Sequence, residues 1–186
     1  MPNPFRIAVL VGLLTSVSGC ASSPGPQTNP GALTAIETLD LPRYLGTWYE
    51  IAKYPNRFQR NCAGGTSATY SLEPDGAVKV VNRCRLANGD MDQAVGAARQ
   101  SGGPTSARLE VRFAPWWLGW LPTVWGDYWV IDIDPGYQLA AVSEPRRAYL
   151  WILSRTPTVD PVAYQALLGR LQGKGYDLGK LEVSKP

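Results

Sequence analysis

No histidine occurs in this 186-residue chain, and its three cysteines are Cys20, Cys62 and Cys84. That combination excludes the usual zinc sites and every nucleophile that relies on an imidazole base. General acid–base chemistry would therefore fall to carboxylates, which must come within hydrogen-bond reach of a substrate. Haem would need tyrosine or cysteine ligation, and no cofactor is expected. The other concentration of distinctive side chains is the stretch 114–125, APWWLGWLPTVW, which holds four of the seven tryptophans. Apolar surface gathered in this way marks a membrane, ligand or protein contact.

The thiols acquire roles from the chain's first twenty residues. Arg6 precedes an apolar run over 7–15, and Val17, Ser18 and Gly19 lead into Cys20. The run is too short to span a bilayer and reads as an export signal. Its small residues before a cysteine resemble the bacterial lipoprotein box, in which the cysteine is lipidated and becomes the new N-terminus. Residues 1–19 are thus expected to be a lipoprotein signal peptide, 20–40 a lipidated N-terminus and flexible tether rich in Pro, Ser and Gly, and 41–186 one folded domain. Ala21 and Ser22 lack the aspartate that resembles an inner-membrane retention signal, so a lipid anchor on the periplasmic face of the outer membrane is expected. Cys62 and Cys84 then remain as two thiols of an exported protein, which commonly join; two separate buried thiols are the alternative. Removing Arg6 from 18 basic residues leaves 17 against 15 acidic, a net of +2 with no basic tract, so nucleic acid is not an expected partner.

The elements that must position these groups follow from periodicity. Segments alternating with period two are found at 47–53, 65–72, 77–85, 92–99, 107–113, 127–132, 138–143 and 149–155, with turn residues between them, among them EPDG at 73–76, SGGP at 101–104 and DPG at 134–136. One helix follows: Asp160 is an N-cap, Pro161 suits the first helical position, and Tyr164, Leu167, Leu168 and Leu171 repeat at helical spacing until Gly173 and Gly175. This pattern is an antiparallel sandwich or barrel with one C-terminal helix.

The stretch YLGTWYEIAKYPNRFQ at 44–59 narrows the choice. Gly46 and Trp48, with Pro55, Asn56 and Phe58 behind them, resemble the lipocalin signature; IDIDPGYQLAAVSEP at 131–145 and YLWILSRTP at 149–157 resemble that family's later blocks. The likeness covers roughly 41–181 and is nearest to the bacterial outer-membrane lipoprotein and apolipoprotein D-like lipocalins. It implies an all-β fold: an eight-stranded antiparallel up-and-down β-barrel with the C-terminal α-helix packed on its wall. In such a barrel the start of the first strand neighbours the end of the eighth, which brings Trp48 and Arg155 together at the closed base as a structural cation–π pair. The loops after strands one, three, five and seven share the open mouth, so 114–125 hangs there, and both Cys62 and Cys84 lie there too. With Tyr70 opposite Val80, Cys84 faces Thr66, and a straight strand would leave the sulfurs about 13 Å apart; the chain is expected to fold back at Gly64 and Gly65.

The family parity gives an inward set of Ala68, Tyr70, Val80, Asn82, Ala94, Gly96, Ala98, Leu109, Val111, Phe113, Tyr128, Val130, Ala140, Val142, Tyr149 and Trp151. Small residues on one wall and aromatics opposite leave an elongated apolar pocket; the alternative is a barrel filled by its own side chains. An apolar lining suits the chain of a fatty acid or lysophospholipid, with its head group at the mouth near Tyr70, Asn82, Tyr128 and Tyr149. Glu50 and Asp132, the expected inward carboxylates, belong toward the base, away from such a chain. The expectation is a non-enzymatic, membrane-anchored lipid carrier for transport, storage or scavenging, against a lipocalin-fold enzyme or a filled-barrel interaction module. Trp116, Trp117 and Trp120 are expected to touch membrane or ligand, to fold in as a lid, or to join a second copy as a homodimer.

Overall fold

A computed structural model describes residues 31–185; the expected signal peptide, Cys20 and the tether over 21–30 lie outside the described residues. Eight strands form on the alternating segments: β1 (Gly46–Lys53), β2 (Cys62–Leu72), β3 (Val78–Leu86), β4 (Met91–Gln100), β5 (Arg108–Arg112), β6 (Gly126–Ile133), β7 (Leu139–Ser143) and β8 (Leu150–Ser154). Each runs antiparallel to the next, and β1 pairs with β8 as well as β2, so the sheet closes into a barrel. A short helix α1 (Leu41–Tyr44) precedes β1, and α2 (Pro161–Gly173) follows β8. The sequence periodicity does not mark the last strand, β9 (Glu182–Val183), which pairs with the second half of β1.

Strand alternation splits the apolar side chains between two cores. Inside the barrel Trp48, Tyr70, Val80, Ala98, Leu109, Val130, Ala140 and Val142 pack together. Outside, Ile51, Ala52, Ile131, Ala141 and Ile152 meet Leu167 and Leu171 of α2. The helix begins where expected: the Asp160 carboxylate accepts from the Ala163 N–H at 2.8 Å, and Pro161 occupies the first turn.

Two bulges make this division possible. In β1 the register shifts between Glu50 and Ala52, so Ile51 and Ala52 both face α2 while Glu50 and Lys53 lie opposite the inward Leu153 and Trp151. In β6 it shifts between Val130 and Asp132, so that Asp132 joins Ile131 on the outer face. Asp132, expected to point inward, therefore meets Arg170 of α2 in a two-pronged ion pair at 2.9 Å. One inserted residue reverses a strand's parity, and the alternating pattern carries no mark of it.

The base is closed by α1 and by the pair the sequence brings together. The Arg155 guanidinium lies 3.9 Å from the centre of the Trp48 ring and donates to the carbonyls of Thr47, Arg43 and Tyr137. Trp48 is fully buried, and its indole N–H reaches the Tyr44 carbonyl at 2.8 Å.

Candidate functional site

The loops after β1, β3, β5 and β7 gather at the open end. Cys62 and Cys84 are joined there in a disulfide, with Cα atoms 5.6 Å apart. Tyr70 does face Val80, but β2 does not fold back: it runs unbroken to Cys62, and two register shifts around Gly64 take up the slack. Gly65 occupies the left-handed region at φ +60°, which favours glycine.

Exposure grades the barrel interior along its axis. The inward Ala94 and Phe113 near the mouth are exposed, and Ala68, Asn82, Gly96, Val111, Tyr128 and Trp151 are half-buried. Toward the base Tyr70, Val80, Ala98, Leu109, Val130, Ala140 and Val142 are buried. The exposure of inward side chains thus falls from the mouth to a packed floor. Gly96 is required here, because a Cβ on it would come within 2.5 Å of the Arg112 carbonyl oxygen and 2.7 Å of the Phe113 ring. A separate hollow of about 420 Å³ lies outside, between α2 and β6, but it holds none of the inward residues and is spanned by the Asp132–Arg170 pair.

The mouth side also carries a polar network. Glu50 is buried and accepts from Gln59, which the β1–β2 loop folds in, and from the Ser184 hydroxyl beyond β9 at 2.6 Å. The Gln59 amide oxygen in turn accepts from Asn56 at 2.7 Å and from the Trp151 indole at 2.9 Å. Glu50 is thus inward as expected but is held from the open end rather than the base. Tyr149 stacks on Trp151 at 5.8 Å and meets Phe58 at 5.5 Å, so the loop forms part of the rim.

Tyr70 and Tyr128, expected beside a head group at the mouth, instead lie deeper in, because Tyr128 pairs with the buried Leu109 and Tyr70 packs into the inner core, and a third tyrosine joins them there. The Tyr128 hydroxyl lies 2.7 Å from those of both Tyr44 and Tyr70, near the floor. Burial raises the pKa of all three, that of Tyr70 to about 12. Tyr44 escapes a reading by strand parity because it belongs to α1, before the first strand.

The tryptophan loop presents apolar surface outward. Trp117 and Trp120 are 59% and 77% exposed, beside Phe58 at 63% and Met91 at 61% on the same rim. Trp125 anchors the loop: Arg99 lies 4.1 Å from its ring centre, and its indole N–H donates to the Gly119 carbonyl at 2.8 Å. The Trp116 side chain lies outside what is described. Among the described residues no cluster of three or more His, Cys, Asp or Glu side chains suits a metal ion, and no helix is long and apolar enough to cross a membrane.

A closed barrel with an interior opening at one end, a Gly-x-Trp first strand and an arginine over that tryptophan define a lipocalin. The chain belongs to that family: the model of the lipocalin-like domain matches residues 39–186. Among its relatives are outer membrane lipoprotein Blc of Escherichia coli, 40% identical over 180 residues that make up 95% of each chain, and temperature-induced lipocalin-1 of Arabidopsis thaliana, 41% identical over 83% of each. Apolipoprotein D of Mus musculus is 31% identical, over 96% of this chain and 92% of its own. This is therefore a lipocalin of the Blc and apolipoprotein D type. Insecticyanin from the tobacco hornworm shares the fold, with a TM-score of 0.65 at 18% identity over 83% of this chain and 84% of its own.

Proposed function

We propose that the protein is a membrane-anchored carrier that takes fatty acids or lysophospholipids into its barrel for transport, storage or scavenging in the cell envelope. The observation that carries this reading is the graded interior: apolar walls with exposed or half-buried inward residues near the mouth, ending on a buried floor. Such a space accepts an alkyl chain and leaves a polar head group at the rim. Ala68, Asn82, Ala94, Gly96, Val111, Phe113, Tyr128, Tyr149 and Trp151 border it, while Tyr70, Val80, Ala98, Leu109, Val130 and Ala140 form its floor and lower walls. The role is binding rather than catalysis: Asp132 is committed to Arg170, and Glu50 to Gln59 and Ser184.

Lipidation of Cys20 and a place on the periplasmic face of the outer membrane accord with the Blc relatives, whose names describe outer membrane lipoproteins. The described chain starts at the mouth end, where the Arg147 guanidinium, in the β7–β8 loop, donates to the Gly31 carbonyl at 2.7 Å. Ten tether residues extend to about 35 Å at most, so an anchor at Cys20 keeps the mouth near the bilayer. Trp117 and Trp120 then meet the interface, a position that tryptophan favours.

Tryptophan fluorescence tests the pocket. Titration with lysophospholipid or fatty acid is expected to saturate at micromolar concentration, a short-chain control to give no change, and Ala68→Phe with Ala94→Phe to abolish the response. Equal responses from the filled variant, or none from the parent protein, would leave a filled-barrel interaction module in place of a carrier.

A further inference from the structure

The floor of the barrel interior is framed by tyrosines from three elements: Tyr44 closing α1, Tyr70 near the end of β2 and Tyr128 early in β6. Their hydroxyls form a chain with Tyr128 in the middle, 2.7 Å from each neighbour. The rings support one another, with centroids 5.5 Å apart for Tyr44 and Tyr70 and 6.1 Å for Tyr70 and Tyr128. Burial keeps all three protonated at neutral pH, so the cluster is uncharged.

A proton count decides what this cluster can do. Three hydroxyls bring three protons, and two oxygen–oxygen links use two of them. One donor remains. If the bonds ran in one direction through Tyr128, the spare proton would fall on Tyr44 or Tyr70, both buried and with no other hydroxyl partner among the described residues. A desolvated donor left unmet is costly. If Tyr44 and Tyr70 both donate to Tyr128, each buried donor is satisfied and the spare proton belongs to the half-buried ring. Accepting two hydrogen bonds also polarises the Tyr128 O–H and makes it a stronger donor.

We propose that Tyr128 donates this proton to an oxygen atom on the ligand's acyl chain, so that the pocket favours chains carrying a hydroxyl, keto or epoxide oxygen well away from the head group. The proposal rests on the carrier reading above, with the chain entering from the mouth. It specifies a neutral acceptor. The cation whose charge reaches the cluster is Arg155, on the Tyr44 side, and its N–H groups are already committed to the carbonyls of Arg43, Thr47 and Tyr137. A carboxylate at that depth would be desolvated without a counter-ion. A plain alkyl chain leaves the donor unmet, and a site built to hydrogen-bond discriminates against a ligand that lacks the partner.

The test uses the full chain carrying Cys20→Ser, so that no anchor is attached, and a series of lysophosphatidylcholines of one acyl length: one plain, the others with a ketone moved stepwise along the chain. One ketone position is expected to bind about five-fold tighter than the plain chain, the effect of one net hydrogen bond. Tyr128→Phe removes that preference, so that every chain in the series binds alike. Because Tyr128→Phe also strips two buried hydroxyls of their acceptor, Tyr70→Phe is measured beside it and is expected to keep the preference. Equal affinity across the whole series, or a preference that survives in folded Tyr128→Phe, overturns the subsite while the carrier reading stands. If no chain binds, the plain one included, both fall.

Discussion

Tyr70 illustrates how position sets the chemistry of a residue. Its phenol is pushed up to about 12 by burial, and those of Tyr44 and Tyr128 rise well above the ordinary value for the same reason. A raised folded-state value means that the native state holds its proton more tightly than the unfolded chain. The resulting stability is complete below pH about 10, where unfolded tyrosine begins to ionise, and is lost as pH rises toward the folded values. Denaturation midpoints are thus expected to stay flat with respect to these groups up to pH about 10 and then fall, with phenolate absorbance appearing in step with unfolding. Ionisation of every tyrosine together near pH 10, with the fold intact, would contradict this. Arg155 gives a second case: Arg155→Lys keeps the charge but loses the planar fork that reaches three carbonyls and the Trp48 ring. A loss of about 2 kcal/mol is expected, read as a thermal midpoint lower by about 4–8 °C; an unchanged midpoint would remove the pair from the base's support.

The strands were legible because one side of each faces a core, and period-two alternation follows directly from that. All eight alternating segments became strands, with shifts only at their ends, and α2 starts at its capping aspartate. Three things were not legible. The bulges that turn Ala52 and Asp132 outward leave no trace in composition, α1 is a single turn, and β9 is too short to show a period. Yet β9 completes the wall. Beyond Tyr49, β1 has no further register with β2, and the gap is taken by Glu182 and Val183, with the Ser184 N–H on the Ile51 carbonyl and the Gly65 N–H on the Lys185 carbonyl. Deleting residues 182–186 is expected to open this seam and speed lipid release in stopped-flow fluorescence; an unchanged release rate would make β9 dispensable. The disulfide spans a separation of 22 residues, and replacing both cysteines by alanine is expected to cost about 3 kcal/mol in the chain-entropy view. Denaturant midpoints with and without the bond measure it.

Across the whole molecule, the open end of the barrel, the tryptophan loop and the first described residues lie together. In the proposed carrier, the expected lipid anchor at Cys20 and the apolar loop would therefore act at the same end of the barrel. Replacing Trp117 and Trp120 with serine is expected to lower binding of the unlipidated chain to phospholipid vesicles while leaving the thermal midpoint in place, since both rings are exposed. Unaltered vesicle binding would assign the loop to a protein partner or a second copy. The central claim, that the barrel holds one single-chain lipid, is tested most directly by native mass spectrometry of the full chain after gentle purification. The account predicts a one-to-one complex whose added mass is that of a fatty acid or lysophospholipid and is displaced by excess lysophospholipid. Bare protein that takes up no added lipid would contradict it.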